Sequence, residues 1–323
     1  MTSLRSEFDL IAKYFAPLAC VGSFGLKDDA ATIAARPGYD LVVTTDTLIA
    51  GVDFFENDPP GAIARKALRV NLSDLAAKGA EPAFYLLSLS LPRVDEAWLE
   101  AFARGLARDQ EMFEIGLLGG DTGATPGPLS IAITAFGHVP WTRMLRRAGA
   151  RPGELVFVTG TIGDSGGGLA LLRDGAGDAL AAAHRNYLID RYRLPDPPVV
   201  LGRSLRNLAT AAIDVSDGLI ADLGHIALAS GVRIVVDAPA VPRSDALDAL
   251  WGGDVVRAAT AGDDYQIAFT APAAHRADIE QTAREDGAIR VSAIGRVVDG
   301  EGVVLLDAQG RAIAVPRPGF THF

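Results

Sequence analysis

The aspartates of this sequence are the residues whose type and setting best suit chemistry. They recur in one context, in which a short apolar segment is followed by Asp beside a small residue. Carboxylate oxygens are hard ligands that suit Mg²⁺, an ion that keeps several waters and shares the phosphate oxygens of a substrate. A neighbouring glycine lets a phosphate approach the backbone closely. The segments are Asp28-Asp29-Ala30-Ala31, Thr44-Thr45-Asp46, Asn71-Leu72-Ser73-Asp74, Gly119-Gly120-Asp121-Thr122 and Asp214-Val215-Ser216-Asp217-Gly218.

These acids form a site only if the fold brings them together. Taken singly, each segment also fits a helix cap or a turn, where Asp is common. Asp74 is the stronger candidate, because the pattern around it is helical and Asp is a poor residue for the interior of a helix. If several of these carboxylates met, their mutual repulsion would be severe without metal. Their convergence would therefore imply two or more divalent ions, and we predict a Mg²⁺-dependent enzyme that binds a phosphorylated ligand.

Other catalytic signatures are missing or weak. The sequence has no Gly-x-x-x-x-Gly-Lys-Ser/Thr loop and no pair of His-Arg-Asp and Asp-Phe-Gly motifs, which excludes P-loop enzymes and protein kinases. The histidines show no metal-ligand spacing, and no partner histidine is indicated for Ser165 in a hydrolase triad. The glycine-rich stretch 160–168 fits either a turn or a phosphate contact. Cys20 lies on an apolar helical segment, which indicates a core residue rather than a nucleophile.

The composition narrows the class of protein. The chain has 323 residues, 49% of them apolar, and this length predicts two domains with a sizeable core. The formal net charge of −10 argues against a nucleic-acid partner, which would need a basic surface. No run of 18 apolar residues occurs, so no membrane span is predicted. Because Cys20 is the only cysteine and no signal peptide is visible, we expect the protein in the cytoplasm.

The hydrophobic patterns predict mixed α/β structure, of the α+β type, in both halves of the chain. A polar, turn-rich stretch at 146–153 is the predicted boundary, which gives domains at 1–148 and 149–323. Most of the acids then follow strands, whereas Asp74 lies on a helix. Strands are predicted at 41–45, 83–91, 129–137, 155–159 and 211–215, and helices at 4–16, from Pro59 and Pro60 to about 77, after a cap at Asp95, after 168, and from 219 to near 231.

In their order along the chain, these motifs resemble the thiamine-monophosphate kinases, of a superfamily that includes aminoimidazole ribonucleotide synthetase and selenophosphate synthetase. The resemblance covers nearly the whole chain, and the order and spacing of the motifs make it specific. The segments that carry it are Asp28-Asp29-Ala30-Ala31, Thr45-Asp46-Thr47-Leu48, Gly51-Val52, Asn71 to Ala80, Gly119-Gly120-Asp121-Thr122, Val158-Thr159-Gly160, Ile213 to Leu219, Gly262-Asp263-Asp264-Tyr265 and the tail Gly319 to Phe323.

The resemblance implies an enzyme that transfers the γ-phosphoryl group of ATP to thiamine monophosphate, giving thiamine diphosphate. It implies an N-terminal α/β domain that binds ATP and Mg²⁺ and pairs with its copy in a homodimer, and a C-terminal α/β domain that covers the cleft. The implied Mg²⁺ ligands are Asp29, Thr44, Thr45, Asp46, Asp74, Asp121, Asp214 and Asp217. The implied nucleotide contacts are Gly120, Asp121, Arg147 and Ser216, the thiamine contacts are Asp53, Asp263 and Phe320, and the catalytic residues are Asp121, Asp217 and Arg147.

The sequence departs from the family pattern at three positions. Asp53 stands where the family commonly has His, and Asp263 is a shorter acid than the usual Glu. Lys27 replaces a glycine before the first pair of acids and adds a cation near them. A carboxylate at 53 would repel the phosphate of the substrate unless a metal lay between them.

Two alternatives stay open. One is a sister ATP-dependent enzyme of the same superfamily, acting on a purine-pathway amidine or on selenide. The selenide enzyme needs a reactive cysteine in a glycine-rich N-terminal segment, a setting that Cys20 lacks. The other is a non-catalytic nucleotide-binding relative, which the near-complete set of aspartates disfavours. A kinase acting on a phosphate needs no serine or histidine nucleophile, because the acceptor supplies its own oxygen for direct in-line transfer.

Overall fold

The computed structural model describes residues 6–175, 177 and 179–321. Among them the chain divides into two compact units. The first runs to Leu75 and continues through Ala80–Thr142, and the second comprises Ala76–Gly79 and the residues from Arg143 on. Each unit combines a β-sheet with α-helices, which confirms the predicted mixed α/β class. The domain bounds 1–148 and 149–323 stay a prediction.

The first unit takes its architecture from a sheet and two long helices. No helix in the described part of the chain is long and apolar enough to cross a membrane. The elements in chain order are α1 (Glu7–Leu10), a π-helical turn (Ile11–Phe15), 3₁₀ turns (Ala16–Leu18 and Phe24–Leu26), β1 (Tyr39–Ile49), α2 (Pro60–Ala77), β2 (Glu81–Leu91), α3 (Glu96–Phe113), β3 (Gly116–Ala124) and β4 (Ser130–Pro140).

The sheet of the first unit places predicted ligands on both of its edges. Its strand order is β1–β4–β2–β3, with β2 and β3 parallel and the other pairs antiparallel. β4 alternates between buried and half-buried residues, as a strand does when one face is covered. α2 covers that face, since a Cβ added to Gly137 would lie 3.3 Å from Leu75 Cδ2. Asp46 lies on the edge strand β1 and Asp121 on the edge strand β3.

Helices α2 and α3 pack in close contact. A Cβ on Gly105 would lie 2.4 Å from the backbone oxygen of Gly61, so the contact leaves no room for a side chain. One turn further along both helices, the buried Asp109 accepts hydrogen bonds from Arg65 Nε at 2.8 Å and from Arg69 Nε at 2.6 Å. One buried carboxylate therefore pairs with two guanidinium groups and ties the helices together.

The second unit contains a larger mixed sheet. Its strands lie in the order β11–β10–β7–β9–β5–β8–β6, with β7 and β10 parallel and the other pairs antiparallel. The elements in chain order are β5 (Leu155–Thr159), α4 (Asp164–Asp174), α5 (Ala182–Arg193), α6 (Val199–Leu205), β6 (Ala211–Val215), α7 (Leu219–Ser230), β7 (Arg233–Asp237), a 3₁₀ turn (Ala238–Ala240), α8 (Asp245–Trp251), α9 (Val255–Thr260), β8 (Gln266–Ala271), a 3₁₀ turn (Ala273–His275), α10 (Arg276–Glu285), β9 (Val291–Val298), β10 (Gly302–Leu306) and β11 (Ala312–Ile313).

The core of the second unit lies between α7 and the sheet. Val156 and Val158 of β5 share one buried cluster with Leu219 and Leu223 of α7. Phe157 lies between those two valines, so strand alternation turns it to the other face, where it stacks on Phe269 at 5.2 Å between ring centroids. Both faces of β5 are therefore buried, which explains why its sequence is a continuous apolar run.

Most of the predicted elements are confirmed. β5 and β6 have the predicted bounds, and α7 ends before Gly231, which adopts the left-handed conformation of a helix C-cap. Asp95 caps α3 by accepting hydrogen bonds from the N–H groups of Ala97 and Trp98. The local pattern was sufficient here because β5 and β6 are short, continuously buried apolar runs and α7 buries one helix face.

Two predicted elements were wrong. The helix predicted at 4–16 breaks after α1 into the π-helical turn and a 3₁₀ turn that contains Pro17, which has no N–H to continue an α-helix; its first two residues lie outside the described residues. The loop predicted at 160–168 ends early, because α4 begins at Asp164. A distant residue, Asp264, accepts hydrogen bonds from the N–H groups of Gly163 and Ser165 and so caps this helix.

We predict that Asp109→Ala destabilises the protein by about 3–5 kcal/mol, because it leaves a buried guanidinium group without its counter-charge. The measurement is equilibrium unfolding in urea, followed by circular dichroism.

The matched control is Glu100→Ala on the same helix. Glu100 forms an exposed ion pair with Arg104 at 2.6 Å, so its loss should cost less than about 1 kcal/mol. Equal losses for the two variants would contradict a structural role for the buried pair.

Candidate functional site

The first group of predicted ligands lies where β1 faces α2. Thr44 and Asp46 are two residues apart on β1, so strand alternation points both to the same side of the sheet. Thr44 Oγ1 donates a hydrogen bond to the carboxylate of Asp74, in the interior of α2. Asp74 therefore has a polar partner across the helix–strand contact, which accounts for an acid at an unfavourable helical position.

Asp46 shows how closely the acids are grouped. Its pKa is raised to about 6, first by burial and then by the negative charges of Asp74 and Asp53. Like charges raise a pKa in this way only at short range. The three carboxylates therefore face one small region, in which a divalent cation would relieve their repulsion.

Asp53 belongs to this group rather than standing apart from it. Its Oδ2 accepts a hydrogen bond from the N–H of Ile49 at 2.7 Å, which closes the turn after β1. Lys66 of α2, itself buried, donates from Nζ to the backbone oxygen of Asp53 at 2.9 Å. The chain thus fixes this position through both its backbone and its side chain.

Thr45 is placed differently from its neighbours. It lies on the opposite side of β1, where its Oγ1 donates to the backbone oxygen of Ile133 at 3.1 Å and lies 3.0 Å from Thr134 Oγ1. Of the two threonines predicted as ligands, the structure brings the side chain of Thr44 to Asp74 and that of Thr45 to β4.

A second group lines a cavity of ≈ 280 Å³ in the first unit. Its polar lining includes Asp28 and Asp29, from the loop before β1, and Gly120 and Asp121 of β3. A cavity lined by both apolar side chains and carboxylates fits a ligand that has a flat ring and a phosphate bound through cations. Its apolar lining includes Phe8, Ile11, Phe15, Leu26, Leu86 and Leu118.

The sheet register relates these two groups. The row of paired residues that begins at Asp46 on β1 passes through β4 and β2 and ends at Gly120 on β3. This row crosses three strand spacings of about 4.8 Å each. The described residues of the first unit thus hold their acids in two groups, which a single ion does not bridge.

Gly120 is required by packing as well as by its predicted nucleotide contact. A Cβ at this position would lie 1.9 Å from the backbone oxygen of Leu87, which is inside van der Waals contact. The glycine therefore lets β3 pair closely with β2 and keeps the backbone open at the cavity.

In the second unit, the predicted ligands lie where β6 leads into α7. Asp214 is buried on β6, and Ser216 and Asp217 follow, half-buried, in the connecting loop. Gly218 has a φ of +126° and would place a Cβ 3.0 Å from the backbone of Thr260. Only glycine allows the chain to turn into the helix this tightly.

Backbone hydrogen bonds bring two distant segments to this loop. The N–H of Asp263 donates to the backbone oxygen of Ser216 at 2.8 Å, and the N–H of Phe320 donates to that of Asp217 at 2.9 Å. Predicted nucleotide and metal positions therefore lie beside predicted thiamine contacts. The last two residues of the matching tail, 322 and 323, lie outside the described residues.

The segment of Asp263 has an unusual backbone. Asp263 and Tyr265 have φ values of +68° and +51°, a region that residues with side chains rarely adopt. Between them, the buried Asp264 accepts hydrogen bonds from the N–H groups of Gly163 at 2.6 Å and Ser165 at 3.3 Å, and burial raises its pKa. Asp264 is the anchor that holds this strained segment in place.

Sequence reasoning missed Asp222 and His225 of α7. Together with Asp217 they form a group whose candidate ligand atoms lie within 4.8 Å of one another. The pKa of Asp222 is raised to about 7, first by burial and then by the charge of Asp217, while hydrogen bonds from backbone N–H groups lower it. Spacing among the histidines alone does not reveal this group, but an i, i+3 pair of Asp and His on one helix face does.

Arg147 lies apart from the loop at 216–218. Its backbone oxygen accepts a hydrogen bond from Ser230 Oγ at 3.3 Å, at the C-terminal end of α7. Ser216 and Asp217 precede the other end of this helix, which at about 1.5 Å per residue is roughly 18 Å long. The shared nucleotide role of Ser216 and Arg147 stays a prediction.

The donor atoms grouped in the first unit, and the carboxylates of Asp214 and Asp217 in the second, fit Mg²⁺. The grouped residues supply carboxylate and hydroxyl oxygens, which are the hard ligands this ion prefers over softer metals. Burial and then the negative charges of Asp74 and Asp53 raise the pKa of Asp46, and a bound divalent cation would neutralise those charges.

Two family models match the chain. The model described as AIR synthase related protein, N-terminal domain, matches residues 27–139, and the corresponding C-terminal domain model matches residues 151–307. The first match contains the acids of the first unit, and the second contains the loop at 216–218 and Asp263. Phe320 lies beyond both matches.

Individual relatives narrow the family. The thiamine-monophosphate kinase of Salmonella typhimurium is 41% identical over 323 residues, which cover 98% of each chain. The crystal structure of thiamine-monophosphate kinase from Stenotrophomonas maltophilia K279a is 45% identical with a TM-score of 0.82, covering 89% of this chain and 91% of that one. A structure named AaThiL complexed with AMPPCP and TMP is 32% identical with a TM-score of 0.77, covering 94% and 97%. Similarity of this extent shows that the chain belongs to the thiamine-monophosphate kinases of the AIR synthase related family.

Proposed function

We propose that this protein phosphorylates thiamine monophosphate with ATP and releases thiamine diphosphate and ADP. Relatives named thiamine-monophosphate kinase that match nearly the whole chain support this reaction. The structure of AaThiL complexed with AMPPCP and TMP supports the binding of two ligands. The observation that carries the proposal is the joining of the loop at 216–218 to Asp263 and Phe320. This joining supports the proposal because we assign the loop to the nucleotide and metal, and Asp263 and Phe320 to thiamine.

The reaction has to bring two polyanions together. Two unit charges 4 Å apart repel by about 1 kcal/mol in water and by about 4 kcal/mol at an effective dielectric of 20. Several such pairs form when the γ-phosphate of ATP meets a second phosphate. Mg²⁺ ions bound to both ligands would neutralise phosphate charge and stabilise the charge of the transferred group.

We assign the acids of the first unit to holding these cations. Asp46, Asp74 and Thr44 form the group between β1 and α2, to which Asp53 adds a further carboxylate. Asp29 and Asp121 line the cavity whose apolar side chains would receive the flat base of the nucleotide. In this assignment Asp53 acts through a cation, because direct contact would repel the substrate phosphate.

We assign the thiamine moiety to the second unit. The thiazolium ring of thiamine is cationic, so an acidic side chain and an aromatic face both favour it. Asp263 supplies the carboxylate, and Phe320, 53% exposed, supplies the aromatic ring. The anchor at Asp264 keeps the first of these contacts in a fixed place.

The chain's own groups position the reactants and form no covalent bond to the phosphoryl group. Thiamine monophosphate supplies the attacking oxygen, and Ser165, for which no partner histidine is indicated, is buried at the start of α4. Direct in-line transfer therefore accounts for the residues present.

We also propose that the protein is a homodimer formed through its N-terminal domain, and that it works in the cytoplasm. β1 is an edge strand with exposed apolar residues, Leu41 at 42% and Val43 at 59%. Long apolar edge strands are sites where another chain pairs or packs, which supports an assembly at this edge.

We predict that the purified protein releases ADP from ATP only when thiamine monophosphate and Mg²⁺ are both present. EDTA should abolish the release, and excess Mg²⁺ should restore it, because the grouped carboxylates repel both phosphates when no cation is bound. The measurement is coupled detection of ADP together with chromatography of thiamine diphosphate.

The control substrates are selenide and the purine-pathway amidine that aminoimidazole ribonucleotide synthetase converts. Each replaces thiamine monophosphate in the assay. Consumption of ATP with either of them and none with thiamine monophosphate would overturn the proposed function.

We predict that Asp121→Asn lowers turnover by a factor on the order of 100 to 1,000, the loss typical of removing one group that stabilises transition-state charge. The fold should be unchanged, because Asp121 is exposed at the cavity. Asp40→Asn, an exposed acid on β1, is the matched control and should retain normal turnover. Normal turnover of the Asp121 variant would remove this residue from the site.

We predict that no phosphorylated protein accumulates during turnover, because the acceptor phosphate attacks ATP directly. The measurement is rapid quenching of a single turnover with γ-labelled ATP, followed by separation of protein from small molecules. A labelled protein that forms and decays as fast as product appears would replace direct transfer with a two-step route.

A further inference from the structure

The buried carboxylate of Asp222 accepts hydrogen bonds from the backbone of the loop at 216–218. Asp222 lies in the first turn of α7 and is 2% exposed. Its Oδ2 accepts hydrogen bonds from the backbone N–H groups of Ser216, Asp217 and Gly218, each at 3.1 Å. Three consecutive N–H groups that converge on one oxygen fix the path of the loop backbone.

The outer side of the same loop carries the substrate-side contacts. The backbone oxygen of Ser216 accepts from the N–H of Asp263, and that of Asp217 accepts from the N–H of Phe320. Every N–H held by Asp222 therefore belongs to, or adjoins, a peptide unit that holds another part of the site. Displacing the loop would move residues from three separate segments at once.

The close packing of these segments makes such a displacement consequential. A Cβ on Gly262 would lie 2.6 Å from the backbone oxygen of Ser216, and one on Gly319 would lie 2.5 Å from that of Asp217. Backbones packed so closely that a glycine Cβ has no room transmit a shift of the loop rather than absorb it.

We propose that Asp222 is a positioning residue for phosphoryl transfer, which it serves by accepting the three N–H groups of the loop rather than by touching either substrate. The expected effect on kinetics rests on the proposed function. The expected effect on the loop rests on the hydrogen-bond geometry alone. The role needs an acceptor oxygen at one place, and it does not need a charge.

The test compares three substitutions at this position. Asp222→Asn keeps an acceptor oxygen at the same distance from the backbone and should retain most of the turnover. Asp222→Glu keeps the charge but moves the oxygens by one methylene, and Asp222→Leu removes the acceptor. Both should lower kcat about 100-fold, the loss that a misplacement of about 1 Å produces, and should raise the KM for thiamine monophosphate. The proposal would be overturned if Asp222→Glu were as active as the native protein and Asp222→Asn were inactive.

The matched control removes another buried carboxylate of the same unit. Glu154 is 6% exposed and accepts hydrogen bonds from the N–H of Arg151 at 3.0 Å and from Thr210 Oγ1 at 2.7 Å. Thr210 precedes β6, whose length of about 16 Å, at roughly 3.3 Å per residue, separates it from Ser216. Glu154→Leu should lower the melting temperature as Asp222→Leu does and leave kcat and KM of the folded protein unchanged. Equal kinetic losses in the two leucine variants would reduce Asp222 to a stabilising residue.

Hydrogen exchange measured by mass spectrometry tests the positioning without any catalytic activity. Asp222→Leu and Asp222→Glu should speed exchange in the segments 214–219, 262–266 and 316–321, whereas Asp222→Asn and Glu154→Leu should not. Unchanged exchange in all three segments would overturn the proposal even if the native protein proves inactive. If the native protein proves inactive but the variants exchange faster in these segments, the positioning role of Asp222 stands and only the proposed function is refuted.

Discussion

Repulsion between negative charges is the constraint on which the arrangement of this protein depends. An acidic chain that binds phosphorylated ligands has to hold carboxylates close together and still fold. The pKa of Asp46, raised to about 6 by burial and by Asp74 and Asp53, is the direct trace of that conflict. Such a cluster weakens the fold when no cation is bound, and a bound cation relieves the repulsion between its carboxylates.

The contrast with Asp109 shows how environment decides the role of an acid. Asp109 is buried between Arg65 and Arg69, so its charge is fully matched and its effect is to join two helices. Asp46 is half-buried among like charges, so a cation bound beside it would be stabilised. The same side chain stabilises structure in the first setting and selects a ligand in the second.

Precision in the second unit comes from backbone contacts rather than from side chains that touch a ligand. The carboxylates of Asp222 and Asp264 accept hydrogen bonds from backbone N–H groups. These bonds fix the loop at 216–218 and the strained segment around Asp263. Glycines such as Gly262 allow the backbones to meet. Residues that bind ligands can then be exposed and few, because the framework beneath them is buried and hydrogen-bonded.

The sequence by itself determined the mixed α/β class, the family and most of the strands and helices, because periodicity and motif order are local properties of the chain. It could show that Thr44 and Thr45 point to opposite sides of a strand, but not which side α2 covers. Only the tertiary structure decided that Thr44 meets Asp74, that Asp264 caps α4 and shortens the predicted loop, and that Arg147 lies at the far end of α7 from Ser216. Each of these depends on packing between segments far apart in the chain, where local pattern carries no information about partners.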